Sequence, residues 1–304
     1  MIGHKSVLME EVLNFLNLKD DGFYADATIG LGGHSLEILK RTKNSKVLGI
    51  DLHLPSLKIA AEKLEKYQER VILKNENFCE LEKVIKEIKW KGLNGILADL
   101  GLSRYEIGES GLGFSFKKDE ELDMNLSGKG IKAKDLLKNY KEKEIEKILK
   151  EFGEEPFAKR IARRIVEERK KKPITKTSEL VDIVLSVKKK KFKKIHPATK
   201  TFMALRIAVN SELENLKKFI PQAIELLFPS GRLLIISFHS LEDRIVKNYF
   251  KKYSGKCICN IKPCICGPVK KGKIITKKPI KPKEEEIWEN PLARSANLRV
   301  FEKL

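Results

Sequence analysis

Asp26-Ala-Thr-Ile-Gly30-Leu-Gly32-Gly33-His34-Ser35 follows the apolar Phe23-Tyr24-Ala25 and precedes Leu36, Ile38 and Leu39 at helical spacing. The pattern predicts a strand that turns through glycines into a helix. Glycines suit such a turn because a ligand can lie against bare backbone where no Cβ intervenes, and because the N–H groups that open the helix point outward at it. Asp51 closes a second apolar run, Val47-Leu48-Gly49-Ile50. It lies at the separation of roughly 20 residues at which dinucleotide folds set a carboxylate on ribose hydroxyls. The expected chemistry is recognition of a nucleoside-containing cofactor, although glycine turns of this kind also occur where nothing binds. Nicotinamide dinucleotide and S-adenosylmethionine both carry an adenosine ribose, so these residues leave the two open.

Further positions could take part. Gly95-Ile-Leu-Ala-Asp99-Leu-Gly-Leu-Ser103 predicts a strand whose tip carries Asp99, at the end where parallel α/β sheets bind ligands; a capping Asp in a tight turn is the equal alternative. Phe78 follows the short strand Val71-Ile-Leu73 and could touch an adenine or belong to the core. His239 lies just past the strand Leu233-Leu-Ile-Ile-Ser237, as a substrate-side candidate, whereas Ser240 with Asp243 resembles a helix-capping pair. His4 reads as a surface histidine or a residue lining the site. The cluster Cys257-Ile-Cys259-Asn-Ile-Lys-Pro-Cys264-Ile-Cys266 supplies four thiols within ten residues. Bound metal, disulfides and unmodified thiols all stay open for it.

The elements that must position these residues follow from hydrophobic spacing. Leu8, Val12, Leu13 and Leu16 mark an amphipathic helix ahead of the first strand, and Leu57, Ala60 and Leu64 mark one after Asp51. Between Ser103 and His196 the strand-and-helix alternation stops. Leu136 to Leu149 mark one helical segment ending near Gly153, Phe157 to Val166 a second with Arg160, Arg163 and Arg164 outside, and Thr177 to Leu185 a third. His196-Pro197 opens a long helix with Phe202, Leu205, Val209 and Leu213 on one face and Arg206 and Asn210 on another. Asn297-Leu-Arg-Val-Phe301 is expected in a final hairpin beside the strand ending at Ser237.

At 304 residues and a net charge of +20, the chain has a polyanion as its natural partner, with dense runs at Arg169–Lys172 and Lys188–Lys194. A Lys/Glu-rich surface of the thermophile kind is the blander explanation. No stretch is long and apolar enough for a membrane span, and a cytoplasmic protein without membrane association is expected.

Several stretches together resemble the RsmH (MraW) family of S-adenosylmethionine-dependent methyltransferases. They are Asp26 to Ser35, Leu97-Ala-Asp-Leu-Gly-Leu-Ser103, Gly113-Phe-Ser-Phe116, Leu122-Asp-Met124, His196 to Leu213, Ile235-Ile-Ser-Phe-His-Ser-Leu-Glu-Asp-Arg244 and Arg294-Ser-Ala-Asn-Leu-Arg299. The resemblance implies a Rossmann-like class I methyltransferase sheet of α/β class with an inserted small all-helical domain, divided as 1–107, 108–197 and 198–304. It implies S-adenosyl-L-methionine as cofactor and methylation of the exocyclic N4 of a cytidine in the decoding region of 16S ribosomal RNA within the small ribosomal subunit. It carries Gly32, Gly33, His34, Asp51, Phe78 and Asp99 over as cofactor contacts, with Glu106 where the family usually has Gln. Arg104, Leu112, Asn125 and Met203 depart from the usual Ser, Arg, Arg and Gln, which touches the substrate side more than the cofactor side. Cytosine N4 is a poor nucleophile because its lone pair is delocalised, so the site must align it and accept its proton. Asp99, or a backbone carbonyl just after it, is the candidate acceptor; the Pro-Pro signature common in amino methyltransferases is absent. The lysine-rich insertion is the expected RNA-facing piece, and the methyl transfer calls for no metal.

Overall fold

The computed structural model describes residues 6–188, 196–259, 261, 265–267 and 269–304. His4, Cys264 and the Lys188–Lys194 run apart from Lys188 lie outside the described residues. Two compact units emerge, one of Met1–Gly101 with Leu213–Leu304 and one of Leu102–Glu212.

The first unit opens with α1 (Met9–Leu16), β1 (Phe23–Asp26), α2 (Gly33–Arg41), β2 (Lys46–Asp51), α3 (Leu54–Lys63), β3 (Val71–Asn75), α4 (Leu81–Glu87) and β4 (Leu93–Asp99). The second holds α5 (Arg104–Gly108), α6 (Ala133–Asn139), α7 (Glu142–Gly153), α8 (Ala158–Arg169), α9 (Thr177–Val187) and α10 (Thr199–Asn210). The chain returns to the first through α11 (Glu212–Leu226), β5 (Leu227–Ser237), α12 (Ser240–Tyr253), β6 (Gly272–Ile274), α13 (Glu284–Glu289) and β7 (Asn297–Lys303).

One sheet carries the first unit, in the order β3-β2-β1-β4-β5-β7-β6. The first five are parallel, and β7 runs antiparallel between β5 and β6. This is the expected Rossmann-like methyltransferase sheet with its final hairpin. Its central strands are apolar on both faces because both are covered. Successive side chains point to opposite sides, so Ile96, Ala98, Leu233 and Ile235 enter one core with Phe219 and Phe250, while Leu97, Leu234 and Ile236 enter the other with Val12, Ile38 and Leu57.

A separate core built on Leu136, Ile145, Leu149, Ile161, Ile165, Leu180 and Leu205 holds the helical unit. Three expectations change here. The segment expected as one helix is two, α6 and α7, because the Lys141 N–H donates to the Glu144 carboxylate at 2.6 Å and starts a new helix. The helix after His196 stops at Asn210, where Ser211 takes φ +51°, so Leu213 belongs to α11. The helical unit is wider than 108–197 because α10 is part of its core. A Cβ at Gly153 on α7 would meet the Lys200 carbonyl oxygen at 2.7 Å, so glycine permits that close approach.

Candidate active site

Parallel pairing brings four strand ends into line. Asp51 of β2 pairs with Asn75 of β3, Asp26 of β1 with Leu97 of β4, and Asp99 of β4 with Ile236 of β5. Each of β1 to β4 thus ends on a polar residue at the edge where ligands of open α/β sheets bind. The glycine turn rises from β1. Gly32 takes φ +75° as the cap of α2, and a Cβ on Gly33 would lie 2.0 Å from Ser6 Oγ. At Gly30, φ is +50° and the nearest atom to an added Cβ is 4.0 Å away, which leaves bare backbone facing open space. A cradle of that kind fits a bound cofactor.

Asp51 is held from both sides. Its Oδ2 accepts the Gly30 N–H and its Oδ1 the His53 N–H, both at 2.8 Å, while the Asn75 amide donates to the Asp51 and Leu52 carbonyls at 3.0 Å. Burial raises its pKa, and the backbone N–H groups of His53, Gly30 and Leu52 oppose the rise. A carboxylate so oriented keeps lone pairs for ribose hydroxyls. Half-buried Asp99 is tied to the turn through its N–H, which donates to Thr28 Oγ1 at 2.6 Å.

Two contributors carry no role in the sequence reading. Asp26 is fully buried and accepts the Ser35 hydroxyl at 2.8 Å; burial pushes its pKa up to about 7 against the lowering effect of that bond. Thr28 is the strap between the turn and β4. The signal was present, since Asp26 closes a strand and Ser35 opens the next helix, but nothing local tells that they face each other.

The remaining candidates are placed differently. His34 directs Nε2 to the Val7 carbonyl oxygen at 2.9 Å and is buried, which leaves its backbone at the opening of α2 as the part facing outward. Phe78 is half-buried and meets Phe219 edge-on at 5.2 Å, so it is in part a core aromatic. Glu106 belongs to the helical unit, where its Oε2 accepts the Ser103 N–H at 2.6 Å and Ser103 Oγ accepts its N–H in return. His239, not Ser240, caps α12. Its Nδ1 accepts the Glu242 N–H at 3.4 Å, and the Glu242 carboxylate accepts the Phe238 N–H at 2.9 Å. Asp243, expected as the capping partner, instead receives a two-pronged contact from Arg299 at 2.6 and 2.9 Å.

Charge in the helical unit is partly structural. Arg169 donates to the carbonyls of Leu137 and Tyr140 that end α6, and Lys188 pairs with buried Glu155. Arg206 grips Glu212 through two bonds of 2.9 Å, and Asn210 holds the Met124 carbonyl and the Leu126 N–H. Exposed Arg163 and half-exposed Arg164 pair with Glu167 and Glu168, and exposed Arg160 lies over the Phe157 ring. Two of the stretches that carry the resemblance meet here, for Phe116 stacks on His196 with centroids 4.3 Å apart.

The sequence model of the MraW methylase family matches residues 1–304. The chain belongs to that family. It is a methyltransferase, and its methyl donor is S-adenosylmethionine. Its similarity to curated relatives covers nearly its whole length. It is 46% identical over 306 residues to the ribosomal RNA small subunit methyltransferase H of Clostridium botulinum, with 99% of each chain covered. The protein of that name from Carboxydothermus hydrogenoformans is 44% identical over 305 residues, covering 99% of this chain and 98% of the relative. That from Sulfurihydrogenibium sp. is 45% identical over 303 residues, covering 99% of each. Among the described residues of this MraW-family chain, no helix is long and apolar enough to cross a membrane.

Proposed function

We propose that this methyltransferase acts on small-subunit ribosomal RNA and transfers a methyl group to the exocyclic N4 of a cytidine in the decoding region of 16S RNA. The supporting observation is the alignment of the Gly30 cradle, Asp51 and Asp99 along one edge of the sheet. Asp51 takes the ribose hydroxyls, and Phe78 offers its outer edge to the adenine. Gly32, Gly33 and the backbone of His34 open α2 toward the anionic end of the cofactor, where helix N–H groups favour a carboxylate.

S-adenosylmethionine, when bound, would supply a methyl carbon on a sulfonium, a leaving group that keeps the C–S bonding pair. Asp99, next to the turn, accepts a hydrogen bond from the target amine and orients its lone pair at that carbon. The proton then leaves the nitrogen for the carboxylate or for the backbone carbonyl that follows it. Alignment and proton acceptance supply the rate, consistent with a weak nucleophile. The helical unit offers Arg160 and Arg163 to phosphates, which position an RNA without reading its sequence. His239 acts as a positioning residue at the end of β5 by capping α12.

Incubation with methyl-labelled S-adenosylmethionine and unmethylated small subunits, followed by nucleoside analysis, tests the assignment. N4-methylcytidine at one site is expected, and Asp99→Ala should abolish it. Label on another base or atom, or RNA binding without methyl transfer, would overturn it.

A further inference from the structure

Between the end of α12 at Tyr253 and the start of β6 at Gly272 the chain makes an excursion that the methyl-transfer chemistry does not use. Backbone pairing closes its base. Ser254 bridges Lys270, the Val269 N–H donates to the Lys252 carbonyl at 3.0 Å, and the Lys271 N–H to the Tyr253 carbonyl at 2.8 Å. Beyond that base, apolar burial among the described residues gives little hold, since Ile261 and Ile265 are 50% and 72% exposed. A segment with so little core needs another staple.

Three thiols converge inside it. Cys257 Sγ lies 3.5 Å from Cys259 Sγ and 3.8 Å from Cys266 Sγ, and all three sulfurs lie within 4.8 Å of one another. Those separations far exceed a disulfide bond of about 2.05 Å. They are close to the edge, roughly 3.8 Å, of a tetrahedron of sulfurs placed about 2.3 Å from a central zinc ion. The Ile258 N–H donates to Cys266 Sγ at 3.3 Å, a contact that supports negative charge on sulfur. Three thiolates on a divalent ion leave one net negative charge, and Lys251, Lys252, Lys256, Lys270 and Lys271 flank the cluster in the sequence.

We propose that Cys257, Cys259 and Cys266 bind a structural zinc ion that pins this excursion. Three S–H bonds break, three Zn–S bonds form, and three protons pass to solvent. The fourth tetrahedral position goes to a further donor. The ion takes no part in methyl transfer; it fixes the surface on which Ile261 and Ile265 stand.

The test uses the full chain purified under reducing conditions, with zinc measured directly and the metal then removed by a chelator and replaced with Co²⁺. One zinc per chain is expected, with Co²⁺ giving the visible ligand-field bands and sulfur-to-cobalt charge transfer of a tetrahedral thiolate site. Cys257→Ser, Cys259→Ser and Cys266→Ser should each lower zinc affinity at least tenfold and speed proteolysis between residues 255 and 269. S-adenosylmethionine affinity should stay unchanged and so report that each variant is folded; Cys79, buried in the sheet unit, is the silent control thiol. The proposal is overturned if the reduced protein takes up neither Zn²⁺ nor Co²⁺, if uptake is unaffected by the three substitutions, or if bound iron replaces zinc. Each of these outcomes leaves the methyl-transfer reading standing.

Discussion

At the candidate site and in the helical unit, charge is used in different ways. In the sheet unit, carboxylates stand at strand ends and accept hydrogen bonds from the turns beside them, as Asp51 does from Gly30 and His53 and Asp26 from Ser35. In the helical unit, much of the charge grips other charges or helix ends, as Arg169 does α6, Lys188 does Glu155 and Arg206 does Glu212. A surplus of Lys and Arg therefore overstates the surface offered to RNA. The lysine runs look alike in the sequence, yet Lys188 has a side chain only 14% exposed while Lys172 is 78% exposed. Burial, rather than residue type, separates a structural cation from one that can meet a phosphate.

That contrast can be broken most strongly at Lys188. Lys188→Ala strands the buried Glu155 carboxylate, and stability should fall by about 3–5 kcal/mol, the scale for removing one partner of a buried pair. Denaturant unfolding reads the loss, and a change below 1 kcal/mol would return Lys188 to the surface class. Asp26 gives the corresponding test in the sheet unit. Its folded pKa of about 7 lies above the ordinary 3.8, so the folded protein keeps a proton that the unfolded chain surrenders across that window. Its contribution to stability is greatest below the unfolded value, falls as pH rises from about 4 to about 7, and stays low above that. At 1.36 kcal/mol per pKa unit the drop is on the order of 4 kcal/mol. Asp26→Asn should remove that slope in unfolding curves taken across the window; identical slopes would place the titration elsewhere.

Smaller effects sharpen the comparison. Asp51→Ala should weaken S-adenosylmethionine binding by about 1.5–3 kcal/mol with the fold intact, the scale for hydrogen bonds to a charged group. Calorimetry showing unchanged affinity would remove Asp51 from the site. Arg160→Gln with Arg163→Gln should leave stability within about 1 kcal/mol, because exposed pairs contribute little. The same double variant should lower the slope of log affinity for RNA against log salt by about 1–2, one counterion for each lost phosphate contact. A constant slope would show that this face of α8 is simply solvated.

The sequence by itself determined what is contiguous. The glycine turn, Asp51 and Asp99 could be placed at strand ends because alternation, run length and turn residues are read within a dozen positions. The family resemblance added His34 and Glu106 as cofactor contacts and favoured the cofactor-side reading of Phe78, already singled out after its strand, and only the tertiary structure showed that His34 faces Val7 and that Glu106 closes its own helix turn. It also decided that the helix after His196 breaks at Ser211, that His239 rather than Ser240 caps α12, and that Asp243 answers to Arg299. Asp26 and Ser35, nine residues apart, carried no mark of facing each other, and Lys188 and Glu155, 33 apart, carried none either. The reason is physical. Hydrophobic period follows from local geometry and is written along the chain, whereas the partner of a polar side chain is whichever group packing brings within 3 Å or so, and burial then fixes both its charge and its strength.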